Sequence, residues 1–305
     1  MPLQLAFELP AFLLGLLFGS FLNVCIARLP GHRSVLKPRS HCPKCLAPIR
    51  WYDNIPLLSW ILLAAKCRRC KAAIPWRYPL VELATGLWFV LAVVQALNTT
   101  APTASAPQLA FTGLAFAALG FLLIGLLVMD WQTHTLPDAF TYPGMAIGFF
   151  LTCAQAIFLA AGQYDVHVDP RYSMRLSSPG SGNVHGNILL TGPEHLIYGR
   201  IFAVLLAAGV LLLIRYLYKA VRHREGLGLG DVKLLAMIAA FLGFWTAMFA
   251  LFIGVILGAL YAITLLARRR ATATTRIPLG AFLCIGGLLA TLLGEPLIAW
   301  YRSLL

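Results

Sequence analysis

The sequence predicts an all-α polytopic membrane protein of about eight transmembrane helices that carries a small cytoplasmic zinc-binding domain. Three observations lead there. Of its 305 side chains 60% are hydrophobic and 11% charged, against the roughly half-apolar, quarter-charged mixture of soluble domains. The apolar residues gather in eight runs, several at or beyond the ~20 residues that take a helix across hydrocarbon, and they are broadly apolar rather than alternating, which argues against a β-barrel. Between the first two runs, two C-x2-C pairs stand 21 residues apart.

The runs lie at approximately 5–27, 80–97, 108–129, 140–161, 197–216, 232–244, 246–267 and 279–300. The first opens "MPLQLAFELP", with no basic n-region and no small-residue cleavage site, so it predicts a retained helix rather than a signal peptide. The sixth is short for a full span, and its boundary with the seventh falls near "GFWTAM". Three domains follow. Residues 1–27 form the first transmembrane helix, 28–78 a cytoplasmic four-cysteine domain, and 79–305 a helical membrane domain with an external loop at 162–196. That loop reads "SSPGSGNVHGN" at its centre, a composition that builds no core. No internal repeat of fixed period is evident.

A formal charge of +13 could indicate nucleic acid, but no aromatic-interleaved basic groove or recognition motif accompanies it. Location explains it instead. Twenty of the 24 Lys and Arg residues fall in the 28–78 segment and the fifth-to-sixth and seventh-to-eighth connections. Eight crossings place all three on one side, which the positive-inside rule makes cytoplasmic, with both termini outside. These loops face anionic lipid headgroups.

Cys42 and Cys45 of "CPKC" and Cys67 and Cys70 of "CRRC" are the candidate metal ligands. Each pair sets two thiolates on one tight turn, and two such turns complete the four-sulfur shell that zinc favours. A redox role is the rival reading, but no thioredoxin-like βαβ pattern surrounds either pair. A closed shell leaves no open position, so the zinc is structural and staples a domain of about fifty residues. Cys25, Cys153 and Cys284 stand alone in apolar helices and read as small buried hydrophobes.

The candidate catalytic residues are Asp130, ending the third run at "LVMD", and Asp231 in "GLGLGDVK". A carboxylate beside lipid is costly unless it faces protein or water. The predicted crossings put both at the cytoplasmic face although about a hundred residues separate them. Two close carboxylates do not both ionise easily, and that asymmetry suits a general acid and a general base sharing one water. Gly226, Gly228 and Gly230 free the backbone before Asp231 for close approach. Asp138, after Pro137, reads as a helix N-cap. Asp130 sits at a helix C-terminus, where a carboxylate opposes the macrodipole, so capping does not explain it. A proton relay in a zinc-stapled transporter or assembly scaffold is the alternative.

The motifs "GSFLNVCIARLP" (19–30), "CPKC", "WYDNIPLLSWILLAAKCRRC" (51–70), "IPWRYPLVELATG" (74–86), "DWQTHTLPD" (130–138) and "GLGLGDVKLLA" (226–236) occur in order. On them the chain resembles the bifunctional type IV prepilin peptidases, membrane aspartic endopeptidases of the bacterial inner membrane. The resemblance implies that Asp130 and Asp231 are the catalytic pair and that Cys42, Cys45, Cys67 and Cys70 are the motif cysteines. It further implies cytoplasmic-side cleavage of the leader from prepilin or pseudopilin substrates serving pili or type II secretion. The new N-terminus is then methylated from S-adenosyl-L-methionine. "GLGLGD" opens no Rossmann unit, so no methyl-donor residue is assigned. Two departures stand out. The family often has an acidic residue where this chain has Gln132, and the 162–196 loop is longer than usual. Within the loop, "DVHVD" sets Asp165, His167 and Asp169 on one face if extended, although a solvated loop is the simpler reading. Arg77 and Glu82 are expected to anchor the small domain to the second helix.

Overall fold

A computed structural model describes residues 2–100, 105–162, 194–222, 228–268 and 277–303. Nine α-helices occur among them: α1 (Pro2–Arg28), α2 (Leu58–Leu62), α3 (Arg77–Thr99), α4 (Ala106–Thr133), α5 (Asp138–Gly162), α6 (Glu194–Arg222), α7 (Leu229–Leu242), α8 (Phe244–Ala267) and α9 (Leu279–Ser303). No sheet forms among the described residues; two isolated bridges, His41 to Pro48 and Lys66 to Ala73, are the only β-pairings. All eight apolar runs are helical. Among the described residues five stretches are long and apolar enough to cross a membrane, Phe7–Gly31, Arg77–Thr99, Ala106–Thr133, Leu196–Arg222 and Phe244–Ala267, and Leu279–Gly294 is a shorter apolar helix. Residues 163–193, with Asp165, His167 and Asp169, and Gly226 lie outside the described residues.

Between helices in lipid there is little hydrophobic driving force, so close packing must come from small residues that let backbones approach. α1 and α3 do this through Gly15 and Gly19. A Cβ on Gly15 would stand 2.8 Å from Gly86 Cα, and one on Gly19 2.7 Å from Glu82 Cα. Gly254 performs the same role between α8 and α9, where a Cβ would lie 2.9 Å from Leu283 Cα. Two buried polar side chains of α3 find partners on other helices. Trp88 Nε1 donates to the Phe116 carbonyl at 2.8 Å and Gln95 Nε2 to the Thr291 carbonyl at 3.1 Å.

α7 is the central helix. It packs against α4, α5, α6, α8 and α9, and Leu234, Leu235, Met237, Ile238, Ala239 and Ala240 are fully buried. Its 14 residues rise only about 21 Å, short of the ~30 Å hydrocarbon core. Enclosure by longer neighbours makes that tolerable. The turn into α8 is the single residue Gly243, at φ 86, a conformation glycine adopts without Cβ strain. This fixes the boundary near "GFWTAM".

The polar stretch between α1 and α3 holds two cysteine turns of the same construction. In the first, Cys42 N–H donates to the Ala47 carbonyl at 2.9 Å, Leu46 N–H to Cys42 at 2.9 Å, and Ile49 N–H to Ser40 at 2.9 Å. In the second, Cys67 N–H donates to Ala72 at 2.8 Å, Lys71 N–H to Cys67 at 3.0 Å, and Ile74 N–H to Ala65 at 2.7 Å. Leu46 and Lys71 both take positive φ, at 54 and 55. Every partner is displaced by the same 25 positions. The segment therefore contains a two-fold structural repeat, which corrects the absence of a repeat read from the sequence.

Candidate active site and metal centre

Asp130 lies three residues before the C-terminus of α4 and only 6% of its surface is exposed. His134 follows the helix at φ 51 and its N–H closes the last turn on the Asp130 carbonyl at 2.9 Å. The carboxylate finds its compensation on another element. Ala281 N–H, in the first turn of α9, donates to Asp130 Oδ2 at 2.7 Å. A helix N-terminus presents free amides and the positive end of the macrodipole, so it suits a carboxylate. Gly280 makes the approach possible, because a Cβ there would stand 2.9 Å from Asp130 Oδ2. Sequence reasoning missed Gly280 and Ala281. "IPLGAF" carries no titratable side chain, and its one signal is a Pro-x-Gly opening an apolar run.

Asp231 is the third residue of α7 and half-buried. Its carboxylate turns back toward the start of the helix, where a Cβ on Gly228 would lie 3.3 Å from Oδ2. Leu136 joins the two halves of the site. Cβ atoms on Gly230 and on Gly280 would meet the Leu136 side chain at 3.2 and 2.9 Å. The residue before Asp231 and the residue touching Asp130 thus pack on one leucine. The fold brings both sequence-predicted aspartates together.

Two further contacts set the frame. Lys233 Nζ pairs with Asp138 Oδ1 at 2.7 Å and lies over the Tyr142 ring at 4.9 Å. Asp138 opens α5, and this pair ties α5 to α7. Around Asp130, Trp131, Tyr261 and Phe282 form an aromatic cluster with centroids 5.3 to 6.1 Å apart. Gln132 accepts from Arg77 Nη1 at 3.0 Å. Glu82 accepts the Leu57 N–H at 2.8 Å. Glu82 thus anchors the polar segment to α3, as expected, whereas Arg77 ties the start of α3 to the end of α4.

The Cys42, Cys45, Cys67 and Cys70 sulfurs all lie within 4.8 Å of one another, and Cys42 and Cys70 are 3.8 Å apart. A tetrahedral shell with Zn–S near 2.3 Å has edges of about 3.8 Å. The geometry fits a metal of that kind. Amides of Cys45 and Lys44 pull the Cys42 thiol down to about 6, and amides of Cys70 and Arg69 lower that of Cys67, which favours the thiolate a metal binds. Arg68 grips Asp53 with both Nε and Nη2, at 2.6 to 3.0 Å, holding its carboxyl below the usual range and fastening the second turn to the helix at Trp51–Asn54. Cys25 and Cys284 are buried and Cys153 half-buried, as their apolar settings implied.

Residues 13–96 match the Bacterial Peptidase A24 N-terminal domain and residues 186–263 the Type IV leader peptidase family. Asp231 falls inside the second match and Asp130 in neither. The chain is 32% identical over 332 residues to a prepilin leader peptidase/N-methyltransferase of Aeromonas salmonicida, covering 99% of this chain and 98% of the relative. It is 32% identical over 320 residues, 97% of this chain and 94% of the relative, to the protein of that name from Pseudomonas aeruginosa. A namesake from Myxococcus xanthus is 60% identical over 78 residues, 26% of this chain and 23% of its own. No solved structure matches.

Proposed function

Because the chain belongs to the type IV prepilin leader peptidase/N-methyltransferase family, we propose that it is a membrane aspartic endopeptidase that removes the leader of type IV prepilins or pseudopilins and then methylates the new N-terminus. The observation that supports the peptidase reading is that Gly230, next to Asp231, and Gly280, where a Cβ would meet Asp130 Oδ2, both pack on Leu136. A water between the two carboxylates attacks the scissile carbonyl. One carboxylate accepts its proton while the other, protonated, donates to the carbonyl oxygen and later helps the amine leave. The burial of Asp130 limits the access of bulk water to that exchange.

The same reading takes all eight long helices as spans of the bacterial inner membrane, short α7 being shielded by its neighbours, with the polar segment and both aspartates on the cytoplasmic side. Cys42, Cys45, Cys67 and Cys70 hold a structural zinc. S-adenosyl-L-methionine supplies the methyl group, but the described residues form no strand–glycine–helix turn for such a ligand. No residue is assigned to it.

The test is incubation of the purified chain in lipid with a prepilin and S-adenosyl-L-methionine, followed by intact mass. Loss of the leader with addition of one methyl is the expected result. An uncleaved prepilin, with proton flux across liposomes that depends on Asp130 and Asp231, would replace this reading with the transporter one.

A further inference from the structure

α2 is only five residues long, but it is amphipathic and held at an unusual depth. Ser59 is buried and its hydroxyl donates to the Tyr52 carbonyl at 3.0 Å and accepts the Ile55 N–H at 2.9 Å. Trp60 Nε1 donates to the Ile74 carbonyl at 3.2 Å, so that side of the helix rests on the second cysteine turn. Leu58, Ile61 and Leu62, spaced i, i+3, i+4, form the opposite face and are 48%, 66% and 74% exposed.

Glu82 fixes the level of this face. Its carboxylate accepts the Leu57 N–H, at the residue that begins α2. Glu82 lies five positions inside α3, about 7 Å from the end of that helix at 1.5 Å per residue. The whole of α3, 23 residues, is about 34 Å long, only slightly more than the ~30 Å of hydrocarbon. With α3 centred on that hydrocarbon, Glu82 and the beginning of α2 that it holds come within about 5 Å of its edge. Two further features agree. Trp76, immediately before α3, is 69% exposed at the level where interfacial aromatics collect. Between residues 28 and 78 there are eleven Lys or Arg and one acid, Asp53, which Arg68 already neutralises. That charge complements an anionic leaflet.

We propose that α2 lies in the membrane plane at the headgroup–acyl boundary of an anionic leaflet, its Leu58, Ile61 and Leu62 face embedded in lipid. It acts as an in-plane anchor that holds the metal segment down beside the helix ends carrying the aspartates. Arg77, bonded to Gln132 two residues after Asp130, completes the link between this anchor and the site. The proposal rests on the membrane topology given above and is independent of the reaction catalysed.

Photocrosslinking tests it. p-Benzoyl-phenylalanine is placed singly at Ile61, at Leu62 and, as a lipid-facing reference, at Phe202 of α6, which is 61% exposed. The full chain is irradiated in nanodiscs of phosphatidylethanolamine and phosphatidylglycerol and its intact mass is measured. The expected result is a phospholipid adduct at 61 and 62 at a yield within about threefold of that at 202, as for an embedded face. Adducts at 202 with none at 61 or 62 would put α2 in water and overturn the proposal. Adducts to a second copy of the chain would overturn it in favour of a protein interface. Absence of lipid adducts at 202 would show instead that the membrane topology itself is wrong.

Discussion

Asp130 and Asp231 occupy opposite kinds of position. Asp130 closes its own helix, where a carboxylate is disfavoured, and is held by the first turn of another, through Ala281 at 2.7 Å. Asp231 opens its own helix, half-buried, with Gly228 and Gly230 just before it. One is fixed by a long-range contact 151 positions away, the other by its local sequence. Both are needed to make a pair, so the site depends as much on where α9 begins as on either aspartate. A water-activating pair benefits from such inequality, since two identical carboxylates at one water have no assigned acid and base.

That comparison can be broken at several points. The largest effect is expected from the carboxylates: Asp130→Asn and Asp231→Asn should each lower kcat/KM for leader removal by about 10²–10⁴, the range for losing one acid–base group. Next comes the metal. Cys67→Ser, or chelation, should unfold the segment between α1 and α3, since site formation and folding are coupled; rapid proteolysis within residues 40–75 with the membrane helices left intact would report it. Gly280→Val sharpens the contrast directly. It drives a side chain into Asp130 Oδ2 and Leu136, and should cut kcat by about 10²-fold, as misplacement near 1 Å does, while Gly209→Val in α6, with nothing within 4 Å, leaves kcat unchanged. Lys233→Met removes a pair whose Asp138 side is 60% exposed. Exposed pairs contribute at most about 1 kcal/mol, so thermal stability should fall little. The smallest effect is Thr141→Val. Thr141 Oγ1 is buried without a hydrogen-bond partner, and removing such a hydroxyl should leave the melting temperature unchanged or raise it, by about 1 kcal/mol of stability.

The parts of the fold that follow from local composition were legible. Apolar length found all eight long helices, and cysteine spacing found the four sulfurs that converge. Helix ends were less so: α6 continues to Arg222, six residues past its apolar run, because "YLYKAVR" keeps helix-favouring residues after the hydrophobicity stops. Among the described residues five stretches meet the length and hydropathy demands of a span, and α7, with 14 residues, does not. The 25-residue repeat is short: its two copies share hydrogen bonds and φ values, and in sequence the two cysteines with Ala47/Ala72, Ile49/Ile74 and Trp51/Trp76. In the site, the aspartates announced themselves by charge in an apolar chain. Their partners did not. Leu136, Gly280 and Ala281 act through shape and a backbone N–H, which no residue type advertises.

The central claim is that the two aspartates act as one unit. It is tested most directly by comparing kcat/KM for prepilin cleavage in Asp130→Asn, Asp231→Asn and the double variant, each shown to fold with full metal content. Residues acting together are strongly non-additive, so the double variant should be no slower than the slower single variant. Losses that multiply in the double variant, or full activity in either single one, would contradict a shared water and separate the two carboxylates into unrelated roles.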